Sequence, residues 1–106
     1  MDEREFEKRA ADVFKRVMDL FESIDPEDAD IEPSGDVLRI DCRGGARIVL
    51  NTQRTTRQIW LAGGKSGYHF TFDAGKTAWL DDKGRGELFA TIAELVKDAT
   101  GLQLAI

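Results

Sequence analysis

In the stretch Arg57-Gln58-Ile59-Trp60-Leu61-Ala62-Gly63-Gly64-Lys65-Ser66-Gly67-Tyr68-His69-Phe70-Thr71-Phe72, two alternating runs flank a glycine-rich break. Ile59 and Leu61 alternate with Gln58 and Trp60, and Tyr68, Phe70 and Phe72 alternate with His69 and Thr71. A period of two sends successive side chains to opposite faces, so Arg57–Ala62 and the run from Tyr68 each read as a half-buried strand. With Gly63 to Gly67 as a loop between them, they pair as an antiparallel hairpin.

The pattern extends outward in both directions. Upstream, Ile31-Glu32 precedes a turn at Pro33-Ser34-Gly35-Asp36. Val37–Cys42 follows with Leu38, Ile40 and Cys42 on one face. Arg43-Gly44-Gly45 then turns into Ala46–Asn51, where Ile48 and Leu50 share a face. Downstream, Ala74-Gly75 leads to Thr77–Leu80 and a polar turn from Asp81 to Gly86. Helical spacing brackets these strands. Phe6, Ala10, Val13, Phe14, Val17, Leu20, Phe21 and Ile24 recur every three or four residues, up to a stop expected at Pro26. Glu87 to Thr100 repeats the pattern with Leu88, Phe89, Ile92, Leu95, Val96 and Ala99, and Gly101 suits the position just past the helix. The apolar tail Leu102–Ile106 is expected to pack back on the helices. The predicted architecture is α+β: one domain over residues 1–106, a two-layer sandwich with two helices on one face of an antiparallel sheet of about six strands. The other sheet face is left to solvent.

The chain of 106 residues is 42% apolar, enough for a hydrophobic core, and in a domain this small a deep, dry catalytic cavity would be costly. No apolar run is long enough to span a bilayer, and the N-terminus lacks the basic and apolar regions of a secretion signal. Cys42 is the only cysteine, which excludes an intrachain disulfide and fits a reducing cytoplasm. In its strand-like run it reads as a buried structural thiol. Charge is unevenly spread: residues 1–32 hold 12 acids and 5 bases, and the remaining 74 hold 8 and 10. So acidic a first third disfavours nucleic acid and favours a cation or a basic protein surface.

The acids concentrate at Asp19, Glu22, Asp25, Glu27, Asp28, Asp30 and Glu32. Asp19 and Glu22 are predicted in the last turns of the first helix, where the macrodipole disfavours negative charge. Stability alone would put Lys or Arg there, and the cluster is expected to lack neighbouring cations. Exposed carboxylates are hard ligands suited to Fe²⁺, Mn²⁺, Mg²⁺ or Ca²⁺. With no His or Cys among them and no EF-hand spacing, binding is expected to be weak, labile and unselective. The plain alternative is a solvated polar surface.

A second candidate lies on the outward face of the sheet. If Ile59 and Leu61 face the helices, Gln58 and Trp60 face water, and an exposed tryptophan flanked by Asn51, Gln53 and Gln58 reads as an interaction anchor; the plain alternative is a Trp60 partly covered by its cross-strand neighbours. His69, the only histidine, falls on the same face as an auxiliary position; Trp79 reads as core. Gly63-Gly64-Lys65-Ser66 lacks the spacing of a phosphate-binding loop and precedes a strand. No catalytic constellation is present, since Cys42 and His69 are predicted on opposite sheet faces.

Taken together, these residues resemble the frataxin family over essentially the whole chain. Asn51-x-Gln53 followed by Gln58-Ile59-Trp60-Leu61 resembles the family's signature strand segment, and Ser66-Gly67-Tyr68-His69-Phe70 its bacterial branch. The resemblance implies a non-enzymatic protein that binds Fe²⁺ and Fe³⁺ weakly through a ridge formed by the seven acids above. It also implies docking on the cysteine desulfurase and iron–sulfur scaffold through Asn51, Gln53, Gln58 and Trp60, and a monomer in the absence of iron. The implied role is iron donor or iron-dependent regulator of the desulfurase; an acidic interaction module with incidental metal binding is the alternative. Met18 and Ser23 stand where bacterial relatives often carry acids, and Glu7 where some carry histidine, so the ridge is thinner here.

Overall fold

The computed structural model describes residues 1–105. Helix α1 runs Glu3–Leu20. Asp2 caps it, accepting from the Glu5 amide at 2.8 Å, while Glu3 and Glu5 sit at the positive end of the dipole. Its buried face is Phe6, Ala10, Val13 and Val17. The helix ends before Pro26 is reached. Three-residue bonds take over: Phe21 N–H to Met18 O at 3.1 Å, Glu22 to Asp19 at 3.3 Å, and Ile24 to Phe21 at 3.1 Å. These tight turns still carry Phe21 and Ile24 to the core, so the apolar spacing outlasts the helix and Glu22 lies beyond its end.

Six strands follow: β1 Ala29–Ser34, β2 Val37–Cys42, β3 Arg47–Gln53, β4 Gln58–Gly63, β5 Ser66–Asp73 and β6 Ala78–Asp81. They form one antiparallel meander in chain order. Opposed pairs such as Ile40 with Ile48, Leu50 with Leu61 and Ile59 with Phe70 build the inner face, and all six are buried. The predicted turn from Pro33 shrinks to Gly35-Asp36, because Pro33 and Ser34 continue β1. Arg43 N–H donates to Asp28 O at 2.8 Å, which by alternation points the backbone of Asp30, Glu32 and Ser34 toward β2. Pro33 therefore faces the open edge, where its missing N–H leaves no ladder bond unmade. The β4–β5 loop is likewise only Gly64-Lys65, since Gly63 and Ser66 belong to the strands.

Helix α2, Leu88–Thr100, covers the same face. Glu87 caps it through bonds from the Phe89 and Ala90 amides and also bridges to Leu80. Gly101 closes it at φ +78°, donating to Lys97 O at 2.7 Å, as the sequence anticipates. Leu104 is buried and Leu102 half-buried against the core; Ile106 lies outside the described residues. Trp79 is core, edge-on to Phe6 at 6.0 Å and Phe72 at 5.4 Å. A Cβ on Gly63 would stand 2.9 Å from Leu95 Cδ1, so this glycine lets α2 approach the sheet. Two helices on one face of a six-stranded antiparallel sheet is the architecture read from the sequence.

Candidate functional site

The outward sheet face gathers the predicted interaction residues into two adjacent rows. Val37, Asn51, Trp60 and His69 are successive cross-strand partners from β2 to β5. Gln53, Gln58, Thr71 and Leu80 form the next row from β3 to β6. Trp60 is half-buried rather than fully exposed, because the His69 ring stacks on it with centroids 4.3 Å apart and planes 12° from parallel.

Hydrogen bonds tie this patch together. Trp60 Nε1 donates to Gln58 Oε1 at 2.9 Å. Gln58 Nε2 donates to Asp82 Oδ2 at 2.6 Å and to Thr71 Oγ1 at 3.2 Å, and Thr71 Oγ1 donates to Asp82 Oδ1 at 2.8 Å. The Asp82 amide in turn donates to His69 O at 2.9 Å. Sequence reasoning missed Thr71 and Asp82. Asp82 lies in a turn whose contacts depend on the β5–β6 register, and only Thr71's parity with His69 marked it as outward.

The seven acids occupy three settings. Asp19 ends α1 and pairs with Lys15 at 3.2 Å. Glu22, Asp25, Glu27 and Asp28 occupy the turns before β1, and Asp28 pairs with Arg43 at 2.8 Å. Asp30 and Glu32 stand on the outward face of edge strand β1, opposite Asp41 and Arg39, and Glu32 pairs with Arg39 at 2.6 Å. The expectation of a cluster without neighbouring cations is therefore corrected: Asp19, Asp28 and Glu32 each have one. The cause is local geometry, a helical i,i+4 pair in the first case and the β1–β2 hairpin in the other two. Glu22, Asp25, Glu27 and Asp30 make no ion pair among the described residues. Glu7 pairs with Arg54 at 3.4 Å.

Between ridge and patch stand Arg39 and Arg47, both bonded to Asp41, at 2.9 and 2.7 Å. The hydrogen bond from Arg47, with Arg39 beside it, holds the Asp41 carboxyl below the usual aspartate range. From β1 to β5 the face thus passes from acidic edge to arginine-bearing centre to polar–aromatic patch. No group of three or more His, Cys, Asp or Glu among the described residues is arranged to hold a metal ion. The donor chemistry fits a hard cation held loosely by one or two carboxylates and water, not a coordination cage. Cys42 is buried on the inner face, and burial pushes its thiol up, away from reactivity. No helix among the described residues is long and apolar enough to cross a membrane.

Residues 1–102 match the sequence model of the frataxin-like domain. A protein of Shewanella baltica (strain OS155) named iron–sulfur cluster assembly protein CyaY is 36% identical over 104 residues, covering 95% of this chain and 94% of that one. Its namesake in Shewanella sp. (strain W3-18-1) is 36% identical over 108 residues, covering 99% and 97%. Among solved structures, frataxin from Psychromonas ingrahamii superposes with a TM-score of 0.88 at 21% identity, covering 98% of this chain and 96% of that one. Trimeric frataxin from the yeast Saccharomyces cerevisiae, complexed with ferrous iron, gives a TM-score of 0.73 at 25% identity, covering 88% and 86%.

Proposed function

This chain belongs to the frataxin family, and on that premise we propose that it serves iron–sulfur cluster assembly as an iron donor or an iron-dependent regulator of the cysteine desulfurase. Relatives over nearly its full length carry the name of cluster assembly. The protein acts by binding, not catalysis, in the cytoplasm and as a monomer without iron. The observation that carries the docking half of this reading is the two-row alignment of Asn51, Trp60 and His69 beside Gln53 and Gln58 on a solvent-facing sheet. Such a surface offers an aromatic anchor within a polar frame, the composition of an interaction hot spot. Partners are the desulfurase and the scaffold.

Iron is cargo or signal here. Glu22, Asp25, Glu27 and Asp30, which make no ion pair among the described residues, supply carboxylates for a labile ion, and Asp19, Asp28 and Glu32 join by exchanging their ion pairs. That exchange gives iron a way to alter the charge a basic partner meets. Desulfurase turnover measured with and without the protein across Fe²⁺ concentrations tests the proposal. An iron-dependent change in rate is expected, and an effect independent of iron would sink the regulatory half.

One observation favours the second reading, an acidic docking module with incidental metal binding. Three of the seven acids are already tied to Lys15, Arg43 and Arg39. Under this reading, reversing the charge of Asp25, Glu27 and Asp28 abolishes association whether or not iron is present.

A further inference from the structure

We infer that Asp82, in the turn between β6 and α2, is a positioning residue that sets which hydrogen-bonding groups the outward sheet face offers a partner. The inference rests on the proposed docking role of that face. An ionised carboxylate only accepts hydrogen bonds. Asp82 receives Gln58 Nε2 on one oxygen and Thr71 Oγ1 on the other, at 2.6 and 2.8 Å. Both neighbours must therefore act as donors toward it. For Gln58 this fixes the side-chain amide: Nε2 points to Asp82 and Oε1 is left to accept from Trp60 Nε1 at 2.9 Å. The indole donor of Trp60 is consumed within the protein, so the tryptophan presents ring surface rather than an N–H. His69 stacks on it, and the Asp82 amide is itself tied to His69 O at 2.9 Å. One turn residue thus holds the amide of Gln58 directly and the indole of Trp60 through it, without standing in either row of the patch.

Replacing Asp82 by asparagine is nearly isosteric but adds a donor, so position 82 no longer dictates which way the Gln58 amide points and only the Trp60 indole donor still does. Replacing it by alanine removes the constraint altogether. The double variant Gln58→Glu with Asp82→Asn reverses the roles. The carboxylate introduced at position 58 accepts from both the Trp60 indole and the amide introduced at position 82, restoring the chain.

The test follows the indole N–H resonance of Trp60, assigned by its loss in Trp60→Phe, together with affinity for the desulfurase–scaffold complex. Asp82→Asn and Asp82→Ala are expected to move that resonance toward free indole and speed its exchange with water, leaving α1 amides in place. Affinity should fall roughly tenfold, the scale of one charge-assisted hydrogen bond. The double variant should recover the indole resonance. An unmoved resonance in both single variants overturns the inference. So does a moved resonance with unchanged affinity, provided Trp60→Ala still loses binding. If Trp60→Ala binds like the wild type, the docking role of the face fails, and Asp82 loses its functional meaning even where the resonance moves.

Discussion

Arg85 clamps the buried carboxylate of Asp81, donating from Nε at 2.7 Å, from a terminal nitrogen at 3.1 Å and from its own backbone N–H at 3.0 Å. Its guanidinium also lies 4.2 Å over the Tyr68 ring and reaches Gly67 O at 2.8 Å. The clamp joins β5, β6 and the turn into α2. The hydrogen bond from Arg85 holds the Asp81 carboxyl below its ordinary value. The stabilisation is therefore complete above about pH 3.9, the ordinary aspartate value. It is lost as pH falls through the lower value of the folded state. Asp81→Asn is expected to destabilise by about 2 kcal/mol at neutral pH and to flatten the loss of stability below pH 4. Urea melts between pH 3 and 7 would read both effects.

Gly63 meets α2 so closely that Gly63→Ala brings a methyl against Leu95 and, at 3.4 Å, Ile48. About 1–2 kcal/mol of destabilisation is expected from overpacking. Combining it with Leu95→Ala should cost less than the sum of the two changes. A double-mutant cycle by thermal melting reads the coupling, and strict additivity would count against the contact.

Thr77 holds φ +50° in the β5–β6 turn, a left-handed conformation that burdens a β-branched residue. Thr77→Gly is expected to raise stability by up to about 1 kcal/mol, relief of backbone strain outweighing the freedom glycine adds to the unfolded chain. An increase in Tm is the outcome to look for.

Arg43 competes with any cation for Asp28. Arg43→Gln should strengthen Fe²⁺ binding at the ridge about two- to threefold, within the range of an exposed ion pair. Paramagnetic broadening of the Asp28 amide during an iron titration measures it. Unchanged broadening would place iron elsewhere.

The period-two runs made the sheet legible, because an alternation such as Leu38, Ile40 and Cys42 has one burial solution once the helices supply a second layer. The same parity put Asn51, Gln58, Trp60 and His69 on one face. Parity does not give cross-strand distance, however, and the pairing of Glu32 with Arg39 depends on the hairpin turning at Gly35-Asp36 rather than from Pro33. The early end of α1 was equally hidden. Phe21 and Ile24 satisfy helical spacing whether they sit in a helix or in the tighter turns that replace it. Asp82 was the least visible: it acts through a turn, where neither period applies.

Pro33 carries a last consequence. An incoming strand that tried to zip onto the rim of β1 would find a gap in the row of amide hydrogens it needs, so sheet growth from molecule to molecule stalls there. Crowding or charge neutralisation can bring copies together, but fibril-like stacking along that border is discouraged by a single ring.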